Sequence, residues 1–194
     1  SLTFDDSDII AVTLDTDGIA TYAMYFDGSD VGLTRGAEDI SGFTILDDGS
    51  LLITTNGNVR VDGVRAKGHD ILRFDPDSLG EDTSGTWSMY LDGSDVGLRG
   101  SARKIDGLSQ LPDGRIVISI RADTVIAGEQ YSASDLLVFN ADSLGSTTSG
   151  SFELYFAGLE NELSGRAERI DAVHIDGNAG VHVSTTGNFS VDEN

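Results

Sequence analysis

An all-β fold, a β-propeller assembled from three four-stranded antiparallel repeats, is the architecture this sequence predicts, and three observations predict it. First, one phrase returns at a fixed interval. Met24-Tyr25-Phe26-Asp27-Gly28-Ser29-Asp30-Val31-Gly32-Leu33 reappears as Met89-Tyr90-Leu91-Asp92-Gly93-Ser94-Asp95-Val96-Gly97-Leu98, and more loosely from Leu154-Tyr155-Phe156 to Leu163, at steps of 65 residues. A constant step of this size is the mark of a repeat architecture. Second, short β-branched runs flank Asp-Gly pairs, a strong local hairpin signal. Third, no segment keeps the three-to-four-residue apolar period of an amphipathic helix, and the 24 glycines are spread along the chain as turn punctuation.

The elements follow in chain order. Asp8–Val12 aligns with Asp70–Phe74 and reads as a third strand, with Tyr22–Phe26 as a fourth, so residues 1–28 form a half-blade. Residues 29–93 and 94–158 form complete blades. In the second of these, Ile105–Leu111, Pro112-Asp113-Gly114 and Arg115–Ile120 read as strand, turn, strand. Asp135–Asn140 and Ser151–Phe156 supply strands three and four. Residues 159–194 close the chain as a second half-blade with two strands. Four short strands at constant spacing are the pattern of a propeller blade. The whole of 1–194 is then one repeat domain with internal symmetry.

The two half-blades are complementary, and joining them would hide sheet edges that otherwise invite aggregation. Three closures are open: two chains pairing into a six-bladed homodimer, one chain closing as a small three-bladed ring, or a segment of a longer array.

Composition narrows the function. The formal charge is −21, with 33 acidic against 12 basic side chains. Such a surface repels nucleic acid and anionic lipid, so neither is an expected partner. No apolar run approaches the roughly 20 residues of a membrane span. Cysteine is absent, which removes disulfides and thiol catalysis.

Candidate site residues come from two places. The loops after the fourth and second strands, such as 28–39 and 56–69, are long and share one propeller face, and long loops on a rigid scaffold carry function. There Glu38-Asp39 becomes Arg103-Lys104 and then Glu168-Arg169, followed by Ser41, Asp106 and Asp171. At the tops of innermost strands, Glu38, Asp39, Arg103, Lys104, Asp106, Arg169 and Asp171 would surround a channel mouth able to take a polar ligand. The other reading is a set of solvated ion pairs. Tyr131 has no repeat counterpart and, if exposed, could stack on a glycan. Asp27, Asp30, Asp92 and Asp95 place carboxylates three apart in Gly-containing turns, a partial site for calcium, which needs six to eight oxygens. Ordinary turn chemistry accounts for the same residues.

His174 and His182 flank a hairpin turn. A two-residue turn register pairs 175 with 182 and puts the histidines on opposite sheet faces, whereas a one-residue slip would make them neighbours. His182 stands where the other repeats have Leu52 and Val117, so it is expected as a packed core residue. Tyr25, Tyr90, Tyr155 and Trp87 are expected between blades. No metalloprotease, nucleophile-elbow or phosphate-loop motif is present.

The series apolar strand, Leu111-Pro112-Asp113-Gly114, apolar strand, loop, Asp135-Leu136-Leu137-Val138-Phe139 resembles blades of the NHL and gluconolactonase-like propellers. Asp-Gly-Ser-Asp-Val-Gly-Leu and Asp-Ser-Leu-Gly are similar to repeats of bacterial secreted or surface proteins. These resemblances imply a non-catalytic, calcium-assisted binding or interaction module of a bacterial extracellular or cell-surface protein, with a glycan or protein surface as partner. Two alternatives stand beside it: a calcium-dependent, lactonase-like propeller hydrolase using channel-mouth carboxylates, and a purely structural repeat.

Overall fold

The computed structural model describes residues 2–165 and 167–190; Arg166 and the last four residues of the 159–194 segment lie outside the described residues. It is all-β. Among the described residues, sixteen strands are joined by tight turns and three single-turn 3₁₀ segments at Ser29–Val31, Ser101–Arg103 and Leu159–Asn161.

Strands β1 (Ile9–Leu14) and β2 (Ala20–Phe26) form a two-stranded sheet. A four-stranded antiparallel sheet follows, in the order β3 (Ile40–Ile45), β4 (Leu51–Thr55), β7 (Ile71–Ser78), β8 (Ser84–Leu91). The next sheet repeats that order with β9 (Ile105–Gln110), β10 (Ile116–Ile120), β13 (Leu136–Ser143) and β14 (Ser149–Phe156). Strands β15 (Ile170–Ile175) and β16 (Val181–Thr185) form the last pair. Among the described residues no sheet closes on itself: β1 pairs only with β2, and β16 only with β15.

Successive sheets bury apolar layers between them. Ile9 and Phe26 of the first sheet pack with Leu51, Ile53, Phe74 and Trp87 of the second. Leu52, Ile71 and Leu91 on the opposite face of that second sheet pack with Leu108, Ile118, Phe139 and Phe152 of the third. Val117, Leu136 and Val138 then pack with Ile170, Val173 and Ile175. Tyr25, Tyr90 and Tyr155 lean on these three layers in turn, and Trp87 lies within the first. First strands approach most closely: β9 packs between β3 and β15. A Cβ on Gly42 would lie 3.2 Å from the Gly107 Cα, and one on Gly107 would lie 3.0 Å from the Ala172 Cα, so these positions take small residues because backbone meets backbone.

Three sequence expectations are corrected. The hairpin after each first strand has a three-residue loop, not two. In Leu46–Ser50 the Leu46 N–H donates to the Ser50 carbonyl at 2.8 Å and Gly49 takes a φ of 85°; Leu111–Arg115 is the same, with Gly114 at 88°. Asp176–Gly180 also keeps this turn, with Ala179 at 61° in the glycine position. The register is therefore common to all repeats, and His174 sits directly opposite His182 with ring centroids 5.9 Å apart. His182 is exposed rather than core, because no sheet covers that face of β15–β16.

Residues 56–69 are not an open loop. They hold a hairpin, β5 (Val59–Val61) and β6 (Val64–Ala66), turned at Asp62-Gly63 with both φ positive, the backbone of a two-residue hairpin turn. Val59, Val61 and Ala66 are buried beside Leu33. β11 (Thr124–Ile126) and β12 (Glu129–Tyr131) repeat the device around Ala127-Gly128. Asp75-Pro76-Asp77 lies inside β7, where the β7–β8 register shifts between Pro76 and Ser78.

Candidate functional site

Each first strand carries a β-bulge near its start. Ile40 and Gly42 pair with Thr55 and Thr54, leaving Ser41 unpaired, and the same shift leaves Asp106 and Asp171 unpaired in β9 and β15. A bulge re-aims the side chain it frees. The outcome differs by repeat. The Ser41 hydroxyl meets Thr54 Oγ1 at 2.9 Å and donates to the Ile105 carbonyl at 3.0 Å. Asp171 accepts the Ser184 hydroxyl at 2.6 Å. Asp106 is buried and collects cations.

Arg121 donates to Asp106 Oδ1 through Nε at 2.8 Å and through a terminal nitrogen, which also donates to Asn56 Oδ1 at 2.8 Å. Arg169 Nε stands 3.3 Å from Asp106 Oδ2 and has no hydrogen-bond partner although it is buried. Lys104 Nζ donates to the Asn56 carbonyl. Two guanidinium groups thus face one carboxylate, with the Lys104 ammonium joined to Arg121 through Asn56, in a chain whose formal charge is −21. Their positions follow the repeat: the backbone N–H of Asn56, Arg121 and Thr186 donates to the carbonyl of Asp39, Lys104 and Arg169 respectively.

Arg121 and Arg169 also line a cleft of about 610 Å³ with Gln130, Ser132, Ser164 and the exposed Leu159. Asp123, on its wall, accepts the Ala133 N–H at 2.9 Å. The cleft therefore offers guanidinium, hydroxyl and amide donors.

Of the residues expected at the channel mouth, the structure brings Lys104, Asp106 and Arg169 together. The others go elsewhere. Glu38 is buried and accepts the Thr34 and Arg35 N–H groups at 2.9 and 3.0 Å. Arg103 donates to the Arg99 and Val125 carbonyls. Glu38 ties down its own loop, and Arg103 ties its loop to β11. Asp39 is half-buried and enters through its carbonyl, and Asp171 is held by Ser184. Tyr131 is only 7% exposed and its hydroxyl donates to the Phe152 carbonyl at 3.3 Å, so its ring belongs to the core between the second and third sheets. Arg121 and Asn56 were not singled out from sequence, although their one-repeat spacing to each other was the available signal.

The Asp-Gly-Ser-Asp turns are clasps between sheets. Asp27 Oδ1 accepts from the Ser29 N–H at 3.0 Å and hydroxyl at 2.7 Å. The Asp27 N–H donates to Thr83 Oγ1 and the Thr83 N–H donates to Asp30 Oδ2, both at 2.9 Å. Asp92, Asp95 and Thr148 repeat this at 2.9 and 3.0 Å. One carboxylate oxygen of each of these four aspartates accepts hydrogen bonds from N–H or O–H donors of the turns and of the neighbouring sheet. Among the described residues no three His, Asp or Glu side chains gather in a metal-binding group.

No protein-family model matches the chain, and no curated protein matches it.

Proposed function

We propose that the chain is a non-catalytic binding module, its sheets arranged as successive blades of a β-propeller, and that it holds a carboxylate-bearing ligand in the cleft between Arg121 and Arg169. The single observation that carries this reading is the pair of guanidinium groups, Arg121 and Arg169, on one buried carboxylate, with Lys104 beside them on the Asn56 carbonyl. Guanidinium forks match carboxylate geometry, and the adjoining Ser132, Ser164 and Gln130 suit sugar hydroxyls. An acidic saccharide is the ligand class that combines the two. The sheet order, from first strand to fourth in both complete sheets, supports the propeller arrangement. The acidic surface and the resemblance of the repeat phrases to those of bacterial secreted proteins are what support an extracellular or cell-surface setting.

The test is calorimetric titration with D-glucuronate against D-glucose as the uncharged control. Glucuronate is expected to bind and glucose not, with Arg169→Gln weakening the binding at least several-fold. Equal binding of both sugars, binding of neither, or glucuronate binding untouched by Arg169→Gln would overturn the reading.

A further inference from the structure

The apolar faces at the two ends of the strand array are the faces that the middle of the array buries. Val12, in the register position of Phe74, is 54% exposed where Phe74 is 0%. Tyr22 stands in the position of Trp87 and is 60% exposed against 6%. Phe43 corresponds to Leu108, at 42% against 2%. Val181, the counterpart of Leu51 and Ile116, is also exposed. Among the described residues, β1 and β16 have no strand paired on their outer side.

The missing partner can be specified residue by residue. In the complete sheets the second strand pairs with the third as Leu51↔Phe74 and Ile53↔Leu72, and as Ile116↔Phe139 and Ile118↔Leu137. The same register applied to the end strands sets Val181 opposite Val12 and Val183 opposite Ile10. We infer that β16 of one chain pairs in this register with β1 of a second copy, so that two chains related by a two-fold axis complete each other's terminal sheets. Both seams form at once, and the association is closed and self-limiting.

The clasps say which ends meet. Each clasp needs an Asp-Gly-Ser-Asp turn on one sheet and a Leu-Gly-x-x-Thr turn on the next, as in Leu79–Thr83 and Leu144–Thr148. The third repeat has Ala157-Gly158-Leu159-Glu160 instead, and the β1–β2 turn is Asp15-Thr16-Asp17-Gly18-Ile19. Both halves of a clasp are missing, one at each end. That matched loss is expected where these two ends face each other, and not where each meets a further unit of the intact kind. Facing the seam, Ala172 continues the small-residue column of Gly42 and Gly107, leaving room for a neighbouring first strand. Each seam engages a strand edge and both sheet faces, and the two-fold axis makes two such seams.

Light scattering on the 194-residue chain at physiological salt is expected to give twice 20.5 kDa. Val12→Lys, an exposed position within the single chain, should keep its circular dichroism and raise the dimer dissociation constant about a hundredfold, because it buries a lone charge at each seam. Adding Val181→Glu to the same chain should restore the dimer. The chain has no cysteine, so Val12→Cys with Val181→Cys reports the pairing directly after oxidation. A disulfide-linked dimer supports the inference. A disulfide within one chain would mean closure as a single-chain ring and would overturn it. So would a monomeric wild type with no cross-link, as a segment of a longer array would give, or a dimer indifferent to Val12→Lys.

Discussion

Asp30 and Thr83, 53 residues apart in sequence, hold two sheets together: the Thr83 N–H donates to Asp30 Oδ2, while Thr83 Oγ1 accepts the N–H of Asp27. Thr83 then donates its hydroxyl proton to the Gly80 carbonyl at 2.8 Å, and the Gly80 N–H donates to the Tyr25 carbonyl at 3.0 Å. Thr148 stands in the same relation to Asp95, Gly145 and Tyr90. The sharpest sequence repeat in the chain is thus the joint between repeats.

Thr83→Val keeps the shape of the side chain and removes the acceptor for the buried end of this joint. The expected loss is about 1–2 kcal/mol, the range for stranding a buried donor. Asp30→Ala should cost less, since its carboxylate is exposed. The double variant should lose less than the sum, because both changes open the same clasp. Urea unfolding of the three variants checks this, and strict additivity would count against a shared unit.

Gly93 is fixed by close approach. A Cβ there would fall 1.9 Å from the His69 carbonyl oxygen, with Asp70 Oδ1 accepting the Gly93 N–H at 2.9 Å. Gly28 and Gly158 repeat the arrangement against Ser7 and Ser134, with Asp8 and Asp135 as acceptors. Gly93→Ala must displace backbone, and the expected cost is about 3 kcal/mol or more. Gly63→Ala, where nothing lies within 4 Å, tests only the positive φ and should cost about 1 kcal/mol.

Much of this was legible in the sequence, and the gaps have physical causes. Strand runs and their order followed from β-branched patterning around Asp-Gly. The hairpin in 56–69 escaped although Val61-Asp62-Gly63-Val64 carries the same signal, because a three-residue strand is too short to show alternation. The hairpin loop length was misjudged since one residue more or less leaves composition unchanged, while it flips every side chain beyond it; His182 shows the effect. Among site residues, Asp106 was marked by its place after the Arg103-Lys104 pair, but Arg121 meets it across the β9–β10 hairpin and Asn56 meets Arg121 from the preceding repeat, and sequence spacing reports neither contact. Tyr131 looked exposed only because the hairpin that buries it had not been recognised.

Stability should fall as the pH drops below about 6.5. Burial lowers the His69 pKa from its ordinary value of 6.5, so the unfolded chain takes up that proton before the folded one does. The stability held by neutral His69 is present above 6.5 and is lost as the pH falls towards the folded value. Asp70, whose carboxyl is pushed up by burial, acts the other way: the folded chain protonates first, and some stability returns as the pH approaches 3.8. His69→Gln should flatten the first limb and leave the second. Thermal melts from pH 8 to pH 4 test the pair, and an unchanged slope in His69→Gln would remove His69 as its source.

Asp106→Asn separates the two roles of the cation cluster. The carboxylate is buried and answers Arg121 and Arg169, which are each roughly one-third exposed, so solvent screens much of the attraction and the loss of stability should be about 1–2 kcal/mol. At the same time Arg121 and Arg169 are freed from their internal anion, and a ligand carboxylate in the cleft no longer competes with Asp106 for them. Glucuronate affinity should therefore rise several-fold while the melting temperature falls. If the cluster were only a brace between sheets, both would fall together, since a loosened Arg169 would order no ligand. Calorimetry and thermal denaturation on the same preparation give the two numbers, and their opposite signs are what a binding role for Arg121 and Arg169 requires.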